Sequence, residues 1–493
     1  VDLKTLREQT ETLTTSLEQR RAEVASGKAS CVGRSELFRS FREVVSWEAV
    51  HLVREAAAKA EGRRGSRLRT LEAHLIDLLF EAEAGESLDQ TERGVRALVT
   101  GLEPGLDWSL DFALTGGTRD PDRDSRARTE ARARATAMDL DPVWARLWDR
   151  RQTIAQKAGF ASALSAWCGA LDLELAAVEA DAAEFLSATE AMYLDVSSWW
   201  LRRCTAQRPF PHGAERHDLL HALWMAPFDG LFPGRGTGLA LVEKLVAAGA
   251  VPRVAVHVDG ELRAGKDPIP QVFPIEPPGS VAISFRAESG AASVRDALQA
   301  FGEAQHFASI DAERPLEDRV LGDRALPAAF GVLLRNIPLD RKWLRRSLPE
   351  VPADLPRVLA LQSLFELRQT CAILLQERQQ DREGLRAGHG ERYGERLSAA
   401  LGARWPSELV LWDCRPFPRT LLRYAAAAFE SVLFPVIRER FDEDWWMNPR
   451  TGVFLQKISR QGQLESCRQV ARAISTEAPR LIAAVPRFAE LLG

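Results

Sequence analysis

The chain has 493 residues, of which 45% are apolar and 27% charged, with a formal net charge of −4 and a pI near 6.2. That length exceeds one core of ordinary size, so two or three lobes are expected, and the composition is that of an ordinary globular protein. The near-neutral balance gives no electrostatic footprint for nucleic acid, and no apolar run approaches the ~18 residues of a membrane helix.

The first residues, VDLKTLREQTETL, are charged and helix-like, unlike a secretory leader. Cytoplasm is the expected compartment. RLRTLEAHLIDLLFEAE (67–83) sets Leu68, Leu71, His74, Leu75, Leu78 and Leu79 at spacings of three and four, which predicts a helix with one buried face. Gly116–Gly117 marks a break. The arginine-rich stretch after it reads as a loop and a solvated helix face, ahead of a Trp-bearing helix at DPVWARLWDRRQTI (141–154). Ala163 to Cys204 reads as one long Ala/Leu-rich helix or a helix pair.

The character changes after Pro209. DLLHALWMAPFDGLFP (218–233) predicts a short helix ended by Pro and Gly. GRGTG (234–238) lacks the preceding strand and following Lys of a phosphate loop and reads as a loop leading into a helix. RVAVHVDGEL (253–262) alternates into an Asp-Gly turn, a hairpin signal. QVFPIEPPGSVAISFRA (271–287) holds a second β pair, whose prolines suit an edge strand or a bend. From Val294 helices return, with long ones expected at 356–379 and 419–441. The fold class is therefore mainly α with a small sheet of two to four strands. The six cysteines contain no CxxC and read as reduced, mostly buried thiols.

Two stretches raise a question of metal chemistry. In an HExxH helix two histidines four apart share a face and reach one zinc, the adjoining Glu polarises the bound water, and a third ligand comes from a later helix. LQAFGEAQHFA (298–308) has the cadence of such a helix written LHEAGHAQHFA. Gln299 then stands for the first His, Ala300 for the catalytic Glu and Glu303 for the second His. HDLLH (217–221), with His217 and His221 on one face and Asp218 as a short base, is a separate HDxxH. Surface or structural histidines are its plain reading, because one motif without a third ligand is weak.

The likeness extends along the chain. LGDRALPAAFGVLLRNIPLDRKWL, from Leu321, is similar to LGDNAVTEGFAFLFEHLLEDPEWL, which carries the third ligand; Ala328 takes that position, 25 residues after Glu303 (328 − 303). GFASALSAW, from Gly159, is similar to GYASYAEFW, and IRERFDEDWWMNPRTGVFLQKISRQGQ (437–463) to LRERFGEDWFREPRAGAFLRELWALGQ. Together these cover about residues 140 to 465, and the chain resembles the thimet oligopeptidase and oligoendopeptidase F group of zinc peptidases.

The resemblance implies a two-lobed helical clamshell with the small sheet, residues 271–286, along one cleft wall. It implies an N-terminal helical lobe over 1–205, a zincin-like region over 206–345 and a completing helical region over 346–493. It also implies lost catalysis, since Gln299, Ala300, Glu303 and Ala328 supply neither a zinc site nor a base. The family's oxyanion donor falls in CRPFPRTLLRYAAAAF (414–429), at Pro418 and Leu421 or Leu422, with Tyr424 the nearest phenol. The expectation is a pseudo-metallopeptidase without cofactor that binds a peptide or protein in its cleft. Gln299, Glu303, His306, Arg419, Arg423 and Tyr424 are the candidate lining, and Glu303 and His306 are expected to share a hydrogen bond. The alternatives are a hydrolase relocated to His217 and His221, or a scaffold whose cleft has filled. Neither nucleic acid nor membrane is an expected partner, and the oligomeric state is left open.

Overall fold

The computed structural model describes residues 2–100 and 120–493 apart from 235, 262, 264, 268 and 286–288, with side chains described outside 95–100. The Gly116–Gly117 break and Arg119 lie outside the described residues, as does Arg235 of GRGTG. Helices run α1 (Leu3–Ala25), α2 (Arg34–Ser40), α3 (Trp47–Ala58), α4 (Gly62–Thr100), α5 (Arg123–Lys157), α6 (Ala163–Ala170), α7 (Leu175–Thr205), α8 (Arg216–Leu223) and α9 (Thr237–Ala247). Three strands follow, β1 (His257–Asp259), β2 (Gln271–Glu276) and β3 (Ser280–Ser284). Then come α10 (Ala291–Ala308), α11 (Ala325–Arg335), α12 (Arg341–Ser347), α13 (Leu355–Glu383), α14 (His389–Leu401), α15 (Val410–Asp413), α16 (Arg419–Phe441), α17 (Pro449–Ser459), α18 (Cys467–Ile474) and α19 (Val485–Leu492). The fold is mainly α with one small sheet.

Local chemistry explains most boundaries. Asp2 accepts hydrogen bonds from the backbone of Lys4 and Thr5 and starts α1. Ser162 and Ser165 form a reciprocal capping box on α6, and Glu215 with Asp218 does the same for α8. The arginine-rich stretch departs from expectation: it belongs to α5, one continuous helix through Pro142 to Lys157. Alanine and arginine are strong helix formers, Asp122 caps the start, and one internal proline deletes a single backbone bond without ending the helix. Nor is that stretch only a solvated face, since Arg123, Arg126 and Arg134 are paired with Asp218, Asp218 and Glu408.

The sheet has the order β1-β3-β2, with β1 parallel and β2 antiparallel to β3. Pro274 lies on edge strand β2, and the register shifts between Phe273 and Glu276, as strand prolines require. Among the described residues no strand pairs with β1 across the Asp-Gly turn; β1 pairs in parallel with β3. Instead Lys266 is buried, and its Nζ donates to Asp259 Oδ1 at 2.6 Å, Asp259 O at 2.6 Å and Glu261 O at 3.0 Å. Arg263 also donates to Asp259 at 2.6 Å. These bonds gather Asp259, Glu261 and Lys266 around one ammonium group.

A single apolar cluster runs from Leu6 to Leu492, so the three segments bounded at 205 and 345 share one core. A smaller cluster of Val281, Ile283, Phe285, Ala297, Ala300, Ala304, Phe307 and Ile310 lies between the sheet and α10. Helices α13 and α16 are long and apolar enough to cross a membrane, but 72% and 78% of their apolar windows are buried inside the fold, which marks core helices.

The tightest junction is α10 against α11. A Cβ on Gly302 would stand 2.4 Å from Phe330 O, and one on Gly331 would stand 2.8 Å from Gln299 O. Backbone therefore meets backbone where the helices cross. Gly302→Ala is expected to lower stability by about 1–3 kcal/mol through overpacking. Gly169→Ala, on an exposed helix position with nothing among the described residues within 4 Å, should raise it by up to ~1 kcal/mol. Chemical denaturation of both variants checks this.

Candidate functional site

The α10/α11 crossing carries the candidate position Gln299 against α11, while the other candidate positions turn to different surroundings. Gln299 packs on Gly331, its Cγ 3.2 Å from where a Gly331 Cβ would be. Ala328 lies three residues before Gly331, on the same side of α11. Gln299 is not open to a ligand: Arg335 Nη1 donates to its Oε1 at 2.6 Å and to Asp296 Oδ1 at 3.1 Å. Arg335 Nη2 also pairs with Glu366 on α13. One guanidinium thus ties α10, α11 and α13 by charge-assisted bonds. Ala300 is buried in the small cluster between the sheet and α10.

Glu303 faces α1 and the start of α11. Burial pushes its carboxyl up to about 7, the Arg324 guanidinium opposing this and the Glu18 carboxylate adding to it. Arg324 stands 3.9 Å from Glu18, and Glu18 is paired with Arg21 at 2.7 Å. Arg21 reaches Glu81 on α4 at 2.5 Å. Beside it His74 Nε2 is 3.0 Å from Thr14 Oγ1, and burial pushes this histidine down to about 4. The space before Glu303 is therefore occupied by a network of side chains from α1 and α4. His74 is the member the sequence placed on a core face, and nothing in its spacing marked it as polar-bonded.

His306 does not bond to Glu303. It is fully buried, it meets Phe330 edge-on at 5.0 Å between ring centroids, and neither ring nitrogen has a hydrogen-bond partner. Burial pushes it down to about 3, so it is a neutral core ring. The expected pair fails because the helix turn sends His306 to the Phe330 side while Glu303 turns to Arg324.

The late-helix candidates divide as well. Tyr424 is buried and donates to Asp181 Oδ2 at 2.7 Å, while Asp181 also accepts from the backbone of Leu481 at 2.7 Å. It joins α16 to α7 and the C-terminal turn and does not line an open cleft. Arg419 and Arg423 are exposed on the first turns of α16. Arg419 lies near Glu377 on α13, whose carboxyl accepts from Thr420 Oγ1 at 2.7 Å and is pushed up to about 8 by burial. Glu377 lines a pocket of about 20 Å³ with Trp148, Arg151, Trp167, Asp381 and Arg415, enough for a water-sized guest. That pocket shares no residue with the Gln299 neighbourhood.

At HDLLH, Asp218 is buried and accepts from Arg123 Nη2 at 2.9 Å and Arg126 Nη2 at 3.2 Å. Its carboxyl is held well below the usual range, the His217, Arg123 and Glu215 N–H hydrogen bonds outweighing burial. His217 is buried with Nδ1 3.3 Å from the same carboxylate. The motif is an ion-paired helix start. Among the described residues no group of three or more His, Cys, Asp or Glu comes together to hold a metal. The thiols of Cys168 and Cys204 are pushed up to about 12 and 11 by burial, and those of Cys371, Cys414 and Cys467 are raised too, which removes the thiolate a nucleophile needs.

Sequence reasoning passed over the residues that organise this region. Arg335 and Arg324, at the two ends of the apolar α11, carry no signal in spacing or motif. Asp323, in LGD, is buried and accepts from Ala325 N at 2.9 Å and Cys467 N at 2.7 Å, fixing the start of α11 against α18. No protein-family model matches the chain, and no curated protein matches it.

Glu303 and the two histidines act on stability in opposite senses. A carboxyl whose folded value is raised favours the fold when protonated; its contribution is complete below about 4.5 and is lost as pH rises through about 7. His74 and His306, pushed down to about 4 and 3, oppose folding as pH falls below the ordinary ~6.5. Glu303→Gln is therefore expected to be more stable than wild type at pH 8, by up to ~2 kcal/mol after allowance for water in the crevice, and equal to it near pH 4. Thermal unfolding of both proteins across that range checks it.

Proposed function

We propose that this chain is a non-catalytic relative of the HExxH zinc peptidases, a pseudo-metallopeptidase that binds a peptide or protein along the wall formed by β2 and the α10/α11 pair. The observation that carries the reading is the α10/α11 junction. The helices meet backbone to backbone at Gly302 and Gly331 and set Gln299 against α11, yet Gln299, Ala300 and Ala328 carry no hydrolytic chemistry. An amide oxygen and a methyl supply neither a Lewis acid nor a base, and the Glu303 carboxyl stands between Glu18 and Arg324 with no metal-holding cluster among the described residues. Arg335 supplies the positive charge that ties the helices together.

Edge strand β2 supports peptide recognition, because an extended chain can add to an edge through main-chain bonds while its alternate side chains are read by pockets. A second reading, a scaffold with a filled cleft, is favoured by one observation: α1 packs along β2 and places Thr14, Glu18 and Arg21 in the space before Glu303. A hydrolase at His217 and His221 has less support, since Asp218 is engaged by two arginines. A cytoplasmic setting is part of the proposal.

Purified protein incubated with quenched-fluorescent peptides is expected to show no turnover with or without added zinc. Turnover that survives chelation and co-purifies with the chain would contradict the reading. Hydrogen exchange should show slowed amides at 271–276 when a binding peptide is present. Protection confined to outer surfaces would favour the scaffold.

A further inference from the structure

The sheet has two edges, β2 and β1, and the outer side of β1 is unpaired. Phe285 N donates to Asp259 O at 3.1 Å, so the main chain of Asp259 faces β3. Successive residues of a strand turn their main-chain groups to opposite edges. Those of Val258 therefore face outward, as do those of Val256 and Val254, two and four residues earlier. Among the described residues no hydrogen bond outside the sheet engages the main chain of these three valines. The extended stretch is also longer than β1. Residues 252–256 are neither helix nor turn, and exposure alternates along them and into the strand: Arg253, Ala255 and His257 are exposed, Val254, Val256 and Val258 partly buried. Val256 and Val258 pack on the small cluster between the sheet and α10. One face of this edge is apolar and seated, the other is open to water, and free main-chain groups line the rim between them.

We propose that this edge pairs with a second copy of the chain, β1 against β1, antiparallel about a two-fold axis at Val256, so that two sheets become one. The residues that meet in this register are those whose main chain faces outward. Val256 lies beside the partner's Val256 and Val254 beside the partner's Val258, and each pair can exchange both its N–H and C=O bonds, as in an antiparallel ladder. The side chains agree with the register. The valines continue one apolar row across the axis. Ala255 lies opposite the partner's His257, a small side chain beside a large one. Arg253 lies opposite the partner's Asp259, a carboxylate already fixed in place by Lys266 and Arg263. Arg253 is free to turn there, since its tie to Glu243 is a loose one at 3.6 Å with side chains 71% and 68% exposed. An edge guarded against itself would set like charges face to face, whereas this one sets opposite charges. The contact is isologous and closes at two copies. A joint this short buries less than the ~1,600 Å² of a standard interface, so association in the micromolar range is expected. The proposal is independent of the peptide reading, because β2 is the opposite edge and stays outside the joint.

Sedimentation equilibrium of the full chain supplies the test. Wild type is expected to run mostly as the 54.7 kDa monomer near ~1 μM and mostly as a dimer near ~100 μM. Val256→Pro removes the central outward N–H at an edge position that tolerates proline, and should abolish the dimer. Arg253→Glu should weaken association about tenfold, because the two-fold axis counts the like-charge contact twice. Hydrogen exchange reads the same joint without a substitution: exchange at 253–259 should slow at least about tenfold from ~1 to ~100 μM, with 271–276 unchanged. If Val256→Pro is poorly folded, exchange on wild type decides alone. A wild-type chain that stays monomeric at ~100 μM overturns the proposal and leaves the edge to a strand of another protein. A dimer that a folded Val256→Pro chain retains, or protection that falls outside 253–259, overturns it as well.

Discussion

The contact between Gly302 and Gly331 is the constraint on which the central region depends. Two helices can approach to backbone distance only where neither carries a Cβ, and both glycines stand at that crossing. The approach fixes Gln299 against α11, turns Glu303 toward Arg324 and sends His306 into the Phe330 ring. Arg335 then joins the crossing to α13 through Gln299, Asp296 and Glu366. In the proposed reading, a guanidinium holds together a helix pair whose counterparts share an ion. The substitution is physically sensible, since a buried cation among carboxylates and amide oxygens gains several charge-assisted bonds at once.

Charge organises the space around the crossing as well. A relay of pairs runs from Glu18 and Arg21 to Glu81 on α4, with further pairs from α1 and α4 to residues 317–319. Such a network fills volume without filling it with apolar atoms, so it stays responsive to salt and protonation. Glu303 and His74 sit at opposite ends of that responsiveness, one carboxyl raised and one imidazole lowered by the same burial.

Much of the fold was legible in the residues because local signals and burial agreed. The leucines of 67–83 are buried on one face of α4, the long helices fall at Leu355–Glu383 and Arg419–Phe441, and Pro274 marks an edge strand with a register shift. Failures arose where one side chain outweighed a pattern. Lys266 is tied to Asp259 where a hairpin was expected, and Asp122 with a run of alanines and arginines extended α5 over what read as loop. The candidate site was legible as a set of positions and not as a set of partners. Gln299 falls on α10 where it crosses α11, against Gly331. Tyr424 and His306 looked available because sequence cannot show that Asp181 or a phenylalanine ring already holds them.

The central claim is that α10 and α11 keep the geometry of a zinc-binding pair while their side chains have changed. Rebuilding the chemistry tests this most directly: Gln299→His, Ala300→Glu, Glu303→His and Ala328→Glu introduced together, with zinc measured by titration calorimetry. The account predicts one zinc bound per folded quadruple variant and none by the wild-type chain. A folded quadruple variant that binds no zinc, or a wild-type chain that binds it stoichiometrically at these residues, would contradict the account.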